Sequence, residues 1–312
     1  MSTKHVFDDA TGLVEKACLG VASTNPDLRF FAHHKVLYNA AHPRDKVAIL
    51  AGGGAGHEPA FSGLVGSGLV TVAVSGDVFA SPSSKQICSG VDLAPTDKGI
   101  VTIVLNYTGD CLNFGLASEK ARSAFHSEGK GRDIEMVNVG DDVSVGRSKG
   151  GLVGRRGLTG AAFTAKVLGA ASEKGDDVQK IAHLGRTMVK NFVTVGSSLD
   201  HCHVPGRSTD PKERGALSQS AVEIGMGIHN EPGAKHIENK PSGEDLIKEM
   251  LELLLREDDP ERSFVKFNKD DDPVLIINNL GGMSSIELGA IAAEARTQIE
   301  RDWNLRLSRV YC

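Results

Sequence analysis

The sequence lacks most of the features that mark a specialised protein class. Its five cysteines (Cys18, Cys88, Cys111, Cys202, Cys312) are scattered, odd in number and without a CxxC pair. That pattern excludes a disulfide framework and points to free thiols in a reducing cytoplasm. No segment approaches the roughly 18 consecutive apolar residues of a membrane span, and Met1-Ser2-Thr3-Lys4-His5 has no apolar core of a signal peptide. Positive charge is not in excess: the formal balance is −5, which gives no broad electrostatic reason to bind nucleic acid. The motifs GxxxxGK[ST], GxSxG and GxGxxG are all missing, which disfavours a Walker-type nucleotide site, a Ser-His-Asp hydrolase and a dinucleotide fold. What remains is an ordinary globular composition, 40% apolar and 24% charged, with 36 glycines, over a length that accommodates two domains.

The chain is organised around Gly52-Gly53-Gly54-Ala55-Gly56-His57-Glu58-Pro59, which follows the buried-strand run Val47-Ala48-Ile49-Leu50. Glycines packed this densely at a strand end let the backbone come close to a bound molecule. A second stretch echoes it: Gly227-Ile228-His229-Asn230-Glu231-Pro232-Gly233, behind Val222-Glu223-Ile224. A third polar strand end, Asn106-Tyr107-Thr108-Gly109-Asp110, follows Ile100 to Leu105. Ligands of open α/β sheets sit outside the carboxyl ends of strands, so the three ends are expected to converge on one small polar ligand.

Strand and helix patterns alternate along the whole chain. Helices are expected from Leu13, from a start near Ser81-Pro82, over Leu112–His126, Leu158–Lys174, Asp177–Val193, Gly243–Glu257 and Ser284–Trp303. Strands are expected at Val36–Tyr38, Leu69–Val74, Ile100–Leu105, Ile134–Val139, Glu223–Gly227, Pro273–Ile277 and in the final alternating run Leu305–Tyr311. The fold class is α/β, two α/β subdomains with mixed sheets, divided as 1–175 and 176–312 near Gly175.

Eleven histidines compete for a chemical role. His201-Cys202-His203 lacks a second ligand cluster, so a turn through Val204-Pro205-Gly206 is favoured over zinc and no metal is expected. His57 and His229 stand apart because both occupy glycine-rich strand ends in related settings, His-Glu-Pro and His-Asn-Glu-Pro. Near a carbonyl compound an imidazole transfers a proton or attacks the carbon. Attack on a ketone gives a hemiaminal, which separates a keto sugar from a polyol of equal size. Asp110 reads either as a base that takes a hydroxyl proton or as a cap for the following helix. The basic glycine loop Gly146–Gly157 reads as an anion site, or as a structural loop or subunit contact. Asn278-Asn279-Leu280-Gly281-Gly282 reads as a polar-ligand turn or as a purely structural one.

At these residues the chain resembles the dihydroxyacetone kinase family, in particular the substrate-binding K domain of the single-chain ATP-dependent fungal type. The resemblance rests on Gly52–Pro59, Phe79–Ser83, Asn106–Asp110, Gly140–Gly146, Gly150–Gly157, Gly196–Cys202, Gly227–Gly233 and Asn278–Gly282, in order along nearly the whole chain. It implies a cytoplasmic, usually dimeric protein of glycerol metabolism that phosphorylates dihydroxyacetone, often glyceraldehyde too. By the same resemblance His229 forms the hemiaminal, His57 hydrogen-bonds the substrate, Asp110 is the base, and Gly53, Gly54, Ala55 and Gly56 cradle the triose. Two positions depart: Ala55 replaces a usual serine, and Leu105 replaces a usual substrate-contacting lysine. ATP and Mg2+ are expected only through a separate L domain beyond Cys312, so the chain as written is expected not to phosphorylate alone. The alternative is a non-catalytic triose-binding regulatory or interaction protein.

Overall fold

The computed structural model describes residues 3–129, 131–150, 153–213 and 215–312. Packing divides them into two compact units, one of residues 7–140 with 156–191, the other of the described residues among 3–6, 141–155 and 192–312. The separation does not follow the boundary expected near Gly175. The helix after that glycine packs on the first sheet, and the loop 141–155 belongs to the second unit.

The first unit begins with α1 (Leu13–Ser23), β1 (Leu28–Phe31), β2 (Val36–Asn39), β3 (Ala48–Ala55) and β4 (Val72–Val78). It continues through α2 (Ser84–Leu93), β5 (Ile100–Leu105), α3 (Thr108–Glu128) and β6 (Ile134–Val139). The short α4 (Arg147–Gly150) lies in the second unit, and α5 (Gly160–Glu173) and α6 (Val178–Lys190) complete the first. The sheet order is β1-β2-β4-β3-β5-β6; β4, β3, β5 and β6 are parallel, and β1 and β2 are antiparallel additions at one edge. All six residues of β5 are buried, as expected of a parallel strand covered on both faces. On one face Leu50, Val72 and Val104 of the sheet pack with Ile87 and Val91 of α2 and Phe114 of α3. The other lies beneath α5 and α6, where a Cβ at Gly185 would meet Val137 at 2.9 Å, so glycine lets α6 settle on β6.

Two of the differences from the sequence expectation have a local cause. Edge strand β1 has only Leu28 buried, so no alternating pattern announced it. Helix α2 starts at Ser84 because Ser83 caps it in a reciprocal box with Gln86, leaving Ser81-Pro82 in the approach.

The second unit holds β7 (Ser197–Ser198), β8 (Val222–Ile224) and β9 (Lys235–Ile237) as an antiparallel sheet in that order. Then come α7 (Gly243–Leu255), β10 (Val274–Ile276), α8 (Ser285–Asp302) and β11 (Arg309–Tyr311), with β10 and β11 paired in parallel. Ile247, Leu251, Ala295, Ile299, Leu305 and Leu307 form the core between α7 and α8. No helix among the described residues is long and apolar enough to cross a membrane.

Candidate functional site

In the first unit β3 is flanked by β4 and β5, and the chain leaves β3 towards β4 but leaves β5 towards β6. Adjacent parallel strands whose connections depart in opposite directions open a crevice at their carboxyl ends. The strand expected to stop before the glycines runs on through Gly52–Gly54 to Ala55, so the glycine-rich end of β3 with Gly56–Pro59, and Asn106–Asp110 after β5, are the two lips of that crevice.

The glycines there do different work. A Cβ on Gly52 would stand 2.4 Å from the Val74 carbonyl oxygen, and one on Gly54 2.7 Å from the Ala80 nitrogen, so both positions are closed by neighbouring backbone. Gly56 has φ +98° and presses against the Phe79 ring. Gly53 alone faces space: its Cβ would reach nothing nearer than Phe61 at 3.8 Å and the Asp110 carboxylate at 3.9 Å. Ala55 is buried, with its methyl in a cluster with Val14 and Cys18, so a hydroxyl at this position would sit in apolar surroundings.

Asp110 is buried in the first turn of α3, whose N-cap is Tyr107; it is a helical residue and not the cap. A carboxylate in this turn is favoured by the N–H ends of the helix. Leu105 is also buried, its Cδ2 only 2.7 Å from where a Cβ on Gly157 would be, so its side chain packs under the Gly157 loop. Glu58 accepts the Gly56 N–H at 2.9 Å and closes the turn. The His57 ring stacks on Phe79 with centroids 5.0 Å apart and planes inclined by 23°. Phe79 itself holds a left-handed φ of 57°, a conformation that costs a bulky residue energy and is retained where the surroundings demand it. Phe79 as the seat of His57 was not legible from the sequence, which placed it only ahead of a helix start.

In the second unit His229 is half-buried on the turn after β8. Its backbone N–H and its ring Nδ1 both meet the Glu231 carboxylate, at 2.9 Å each, through different oxygens. Burial alone would raise the Glu231 pKa, but the hydrogen bonds from the His229 ring and backbone outweigh it and hold the pKa down to about 2. Asn230, with φ 64°, ties the turn to the backbone of Cys202, accepting its N–H at 2.9 Å and donating to its carbonyl at 3.1 Å. The buried Glu223 accepts the Gly233 N–H at the end of the turn.

The other sequence candidates make contacts within the protein. His201 Nε2 lies 3.9 Å from Glu223, whereas His203 Nε2 approaches the carbonyls of Arg207 and Ser208 at 3.2 and 3.1 Å, so the two rings serve different partners. No group of three or more potential ligands among the described residues could hold a metal ion. The basic glycine loop finds its anion within the protein: Glu261 accepts the backbone N–H of Ser148 at 2.9 Å and its hydroxyl at 2.7 Å. Arg147 and Arg155 stack over Phe264 at 4.4 and 4.3 Å. Gly151 and Leu152 of this loop lie outside the described residues. Asn279 closes its own turn, accepting from Gly281 and donating to Met283, both at 2.8 Å, while Ser284 caps α8.

The sequence matches the Dak1 domain family over residues 19–312. It is 43% identical over 321 residues to a dihydroxyacetone kinase of Pichia angusta, an alignment covering 100% of this chain and 52% of that protein. The chain thus spans about half the length of the curated relatives it matches. Among solved structures it resembles the dihydroxyacetone kinase of C. freundii in complex with AMP-PNP and Mg2+, with a TM-score of 0.83 and 30% identity over 99% of this chain and 54% of that one. It also resembles the dihydroxyacetone kinase operon co-activator Dha-DhaQ, with a TM-score of 0.81 and 27% identity over 95% of this chain and 86% of that one. With the α/β architecture and the glycine-lined strand end in place, the match over nearly the whole length shows that this chain belongs to the Dak1 domain family, the family it shares with dihydroxyacetone kinases.

Proposed function

We propose that this chain is the triose-holding part of a dihydroxyacetone kinase. The observation that carries the reading is Gly53: one bare position in a closed glycine run, beside a buried carboxylate, at a sheet's switch point. That is the shape a small hydroxylated ligand requires. The ketone carbon of dihydroxyacetone, or the aldehyde carbon of glyceraldehyde, bonds to the His229 ring as a hemiaminal. Asp110 accepts the hydrogen bond of the hydroxyl to be phosphorylated and takes its proton as the oxygen attacks phosphorus. His57, seated on Phe79, hydrogen-bonds the substrate, and the backbone of Gly53, Gly54, Ala55 and Gly56 lines the cradle. The contribution of Leu105 is apolar packing where the family uses a cation, which weakens triose binding.

The phosphoryl group comes from ATP with Mg2+ on a separate L domain, and the chain alone is inactive. Its basic glycine loop supports this, because the protein's own Glu261 already occupies the Ser148 N–H. In this reading the protein is a cytoplasmic homodimer.

The test is carbon NMR of dihydroxyacetone labelled at its carbonyl carbon, added to the native chain and to His229→Ala. A protein-bound tetrahedral-carbon resonance, distinct from that of the free ketone's hydrate, is expected with the native chain alone; its absence there refutes the covalent role. A second reading, triose binding without turnover, is favoured by the likeness to the co-activator, of which this chain covers 86%. Supplying a purified ATP-binding domain decides between them: phosphorylation of dihydroxyacetone dismisses the binding-only reading.

A further inference from the structure

The second histidine loop has one more residue between histidine and glutamate than the first, and that residue decides what each glutamate holds. In both, the carboxylate accepts the backbone N–H two positions before it: Glu58 from Gly56, Glu231 from His229, each at 2.9 Å. In the first loop the position two before is a glycine, and the His57 ring is held elsewhere, on Phe79. In the second it is the histidine itself, so the other carboxylate oxygen meets the ring at Nδ1, 2.9 Å away. One carboxylate therefore grips one histidine by its backbone and by its ring. A ring nitrogen this close to an ionised carboxylate is the one that carries hydrogen, since both atoms would otherwise be acceptors.

We propose that Glu231 is a positioning residue that fixes the Nδ1–H tautomer of His229 and so places the ring's lone pair on Nε2, the nitrogen that attacks a ketone. The use of that tautomer rests on the triose reading above, whereas its geometry does not. Asn230 keeps the grip from sliding: its left-handed backbone makes the turn, and its side chain is fixed to Cys202 by two hydrogen bonds. When Nε2 adds to a carbonyl carbon, a C–N bond forms and the C=O π pair moves to oxygen, which takes a proton and becomes a hydroxyl. Positive charge develops on the ring as this happens, opposite the Glu231 carboxylate. The oxygen's proton comes from solvent, so the adduct ring keeps its Nδ1 proton and stands as an imidazolium paired with the Glu231 carboxylate.

The experiment is nitrogen NMR of the full chain labelled with 15N-histidine, in which the nitrogen–proton couplings tell Nδ1–H from Nε2–H; His229→Asn assigns the signal. Nδ1–H is expected for His229 in the native chain, and Nε2–H there overturns the proposal without any variant. In Glu231→Gln the amide presents either its oxygen or its NH2 to the ring. A mixed or inverted tautomer is expected, with the adduct to carbonyl-labelled dihydroxyacetone weakened about 10- to 100-fold, the range for losing a hydrogen bond to a charged group. An unchanged tautomer and an unchanged adduct in a folded Glu231→Gln overturn it too. If the native tautomer is Nδ1–H and shifts in the variant, but neither protein forms an adduct, the positioning role is supported and the triose reading is what fails.

Discussion

A methyl group introduced at Gly53 and one introduced at Gly54 meet opposite surroundings. At Gly53 the new carbon stands 3.8 Å from Phe61 and 3.9 Å from the Asp110 carboxylate, ordinary contact distances, and the backbone φ is not in the left-handed region. Restricting the unfolded chain at such a position contributes about 0.4–1 kcal/mol in favour of folding. The same methyl fills the space assigned to the triose, and overfilling by one carbon costs about 1–3 kcal/mol, or roughly 5- to 150-fold in affinity. At Gly54 the new carbon stands 2.7 Å from the Ala80 nitrogen and 3.1 Å from the Phe79 carbonyl carbon, both backbone atoms that no side-chain rotation moves. The end of β3 and the exit of β4 must part, at a cost of about 1–3 kcal/mol in stability. Urea unfolding of Gly53→Ala and Gly54→Ala, with calorimetric titration of dihydroxyacetone, separates the two effects. A Gly53→Ala protein as unstable as Gly54→Ala, or one that binds dihydroxyacetone with native affinity, refutes the assignment of the space beside Asp110.

Phe79→Gly removes a stacked ring worth about 0.5–1.5 kcal/mol but also relieves a left-handed backbone that costs about 1–3 kcal/mol, so melting is expected to change little. The ring-proton shifts of His57 should move towards those of an exposed imidazole, and dihydroxyacetone affinity should fall; unchanged shifts contradict the seat. Glu231 has a folded-state pKa of about 2, below its ordinary value of 4.5, so its contribution is fully present above pH 4.5 and is lost as pH falls towards 2. Because the carboxylate is one-third exposed, water screens it and the expected contribution is about 1 kcal/mol, less than the whole shift implies. The stability gap between the native chain and Glu231→Gln, followed by urea unfolding from pH 6 to pH 2 (about the span of the two pKa values), should therefore close with acid, and a constant gap contradicts the linkage.

The parts of the fold that were legible in the sequence are those whose signal is local. Strands β3, β5 and β6 are apolar runs that end in glycine or polar residues, and α8 begins at the serine that caps it. Edge strand β1 was not legible because one buried side chain makes no period. The division into units was not legible either, because α6 follows a glycine turn that reads as a linker yet packs its Ile181 and Gly185 onto the first sheet. Candidate residues could be named where glycine thins the chain, but their partners could not. Glu261 reaches Ser148 across 113 positions, and nothing in a loop rich in arginine and glycine announces that its anion is supplied from elsewhere in the same protein.

The two histidine loops show how far a local pattern reaches. Read as motifs, His-Glu-Pro and His-Asn-Glu-Pro are variants of one signal, and the shared rule is that the glutamate bonds the N–H two residues back. The rule is local, so its consequence was present in the spacing: one inserted residue moves the carboxylate from the neighbour of the histidine onto the histidine. What made it invisible is that the insertion is tolerated only if the added residue accepts a left-handed backbone, and Asn230 does so while bonding to Cys202. Asparagine is among the few side chains suited to that conformation. The inserted asparagine therefore converts a turn that closes on itself into one that holds an imidazole by one edge.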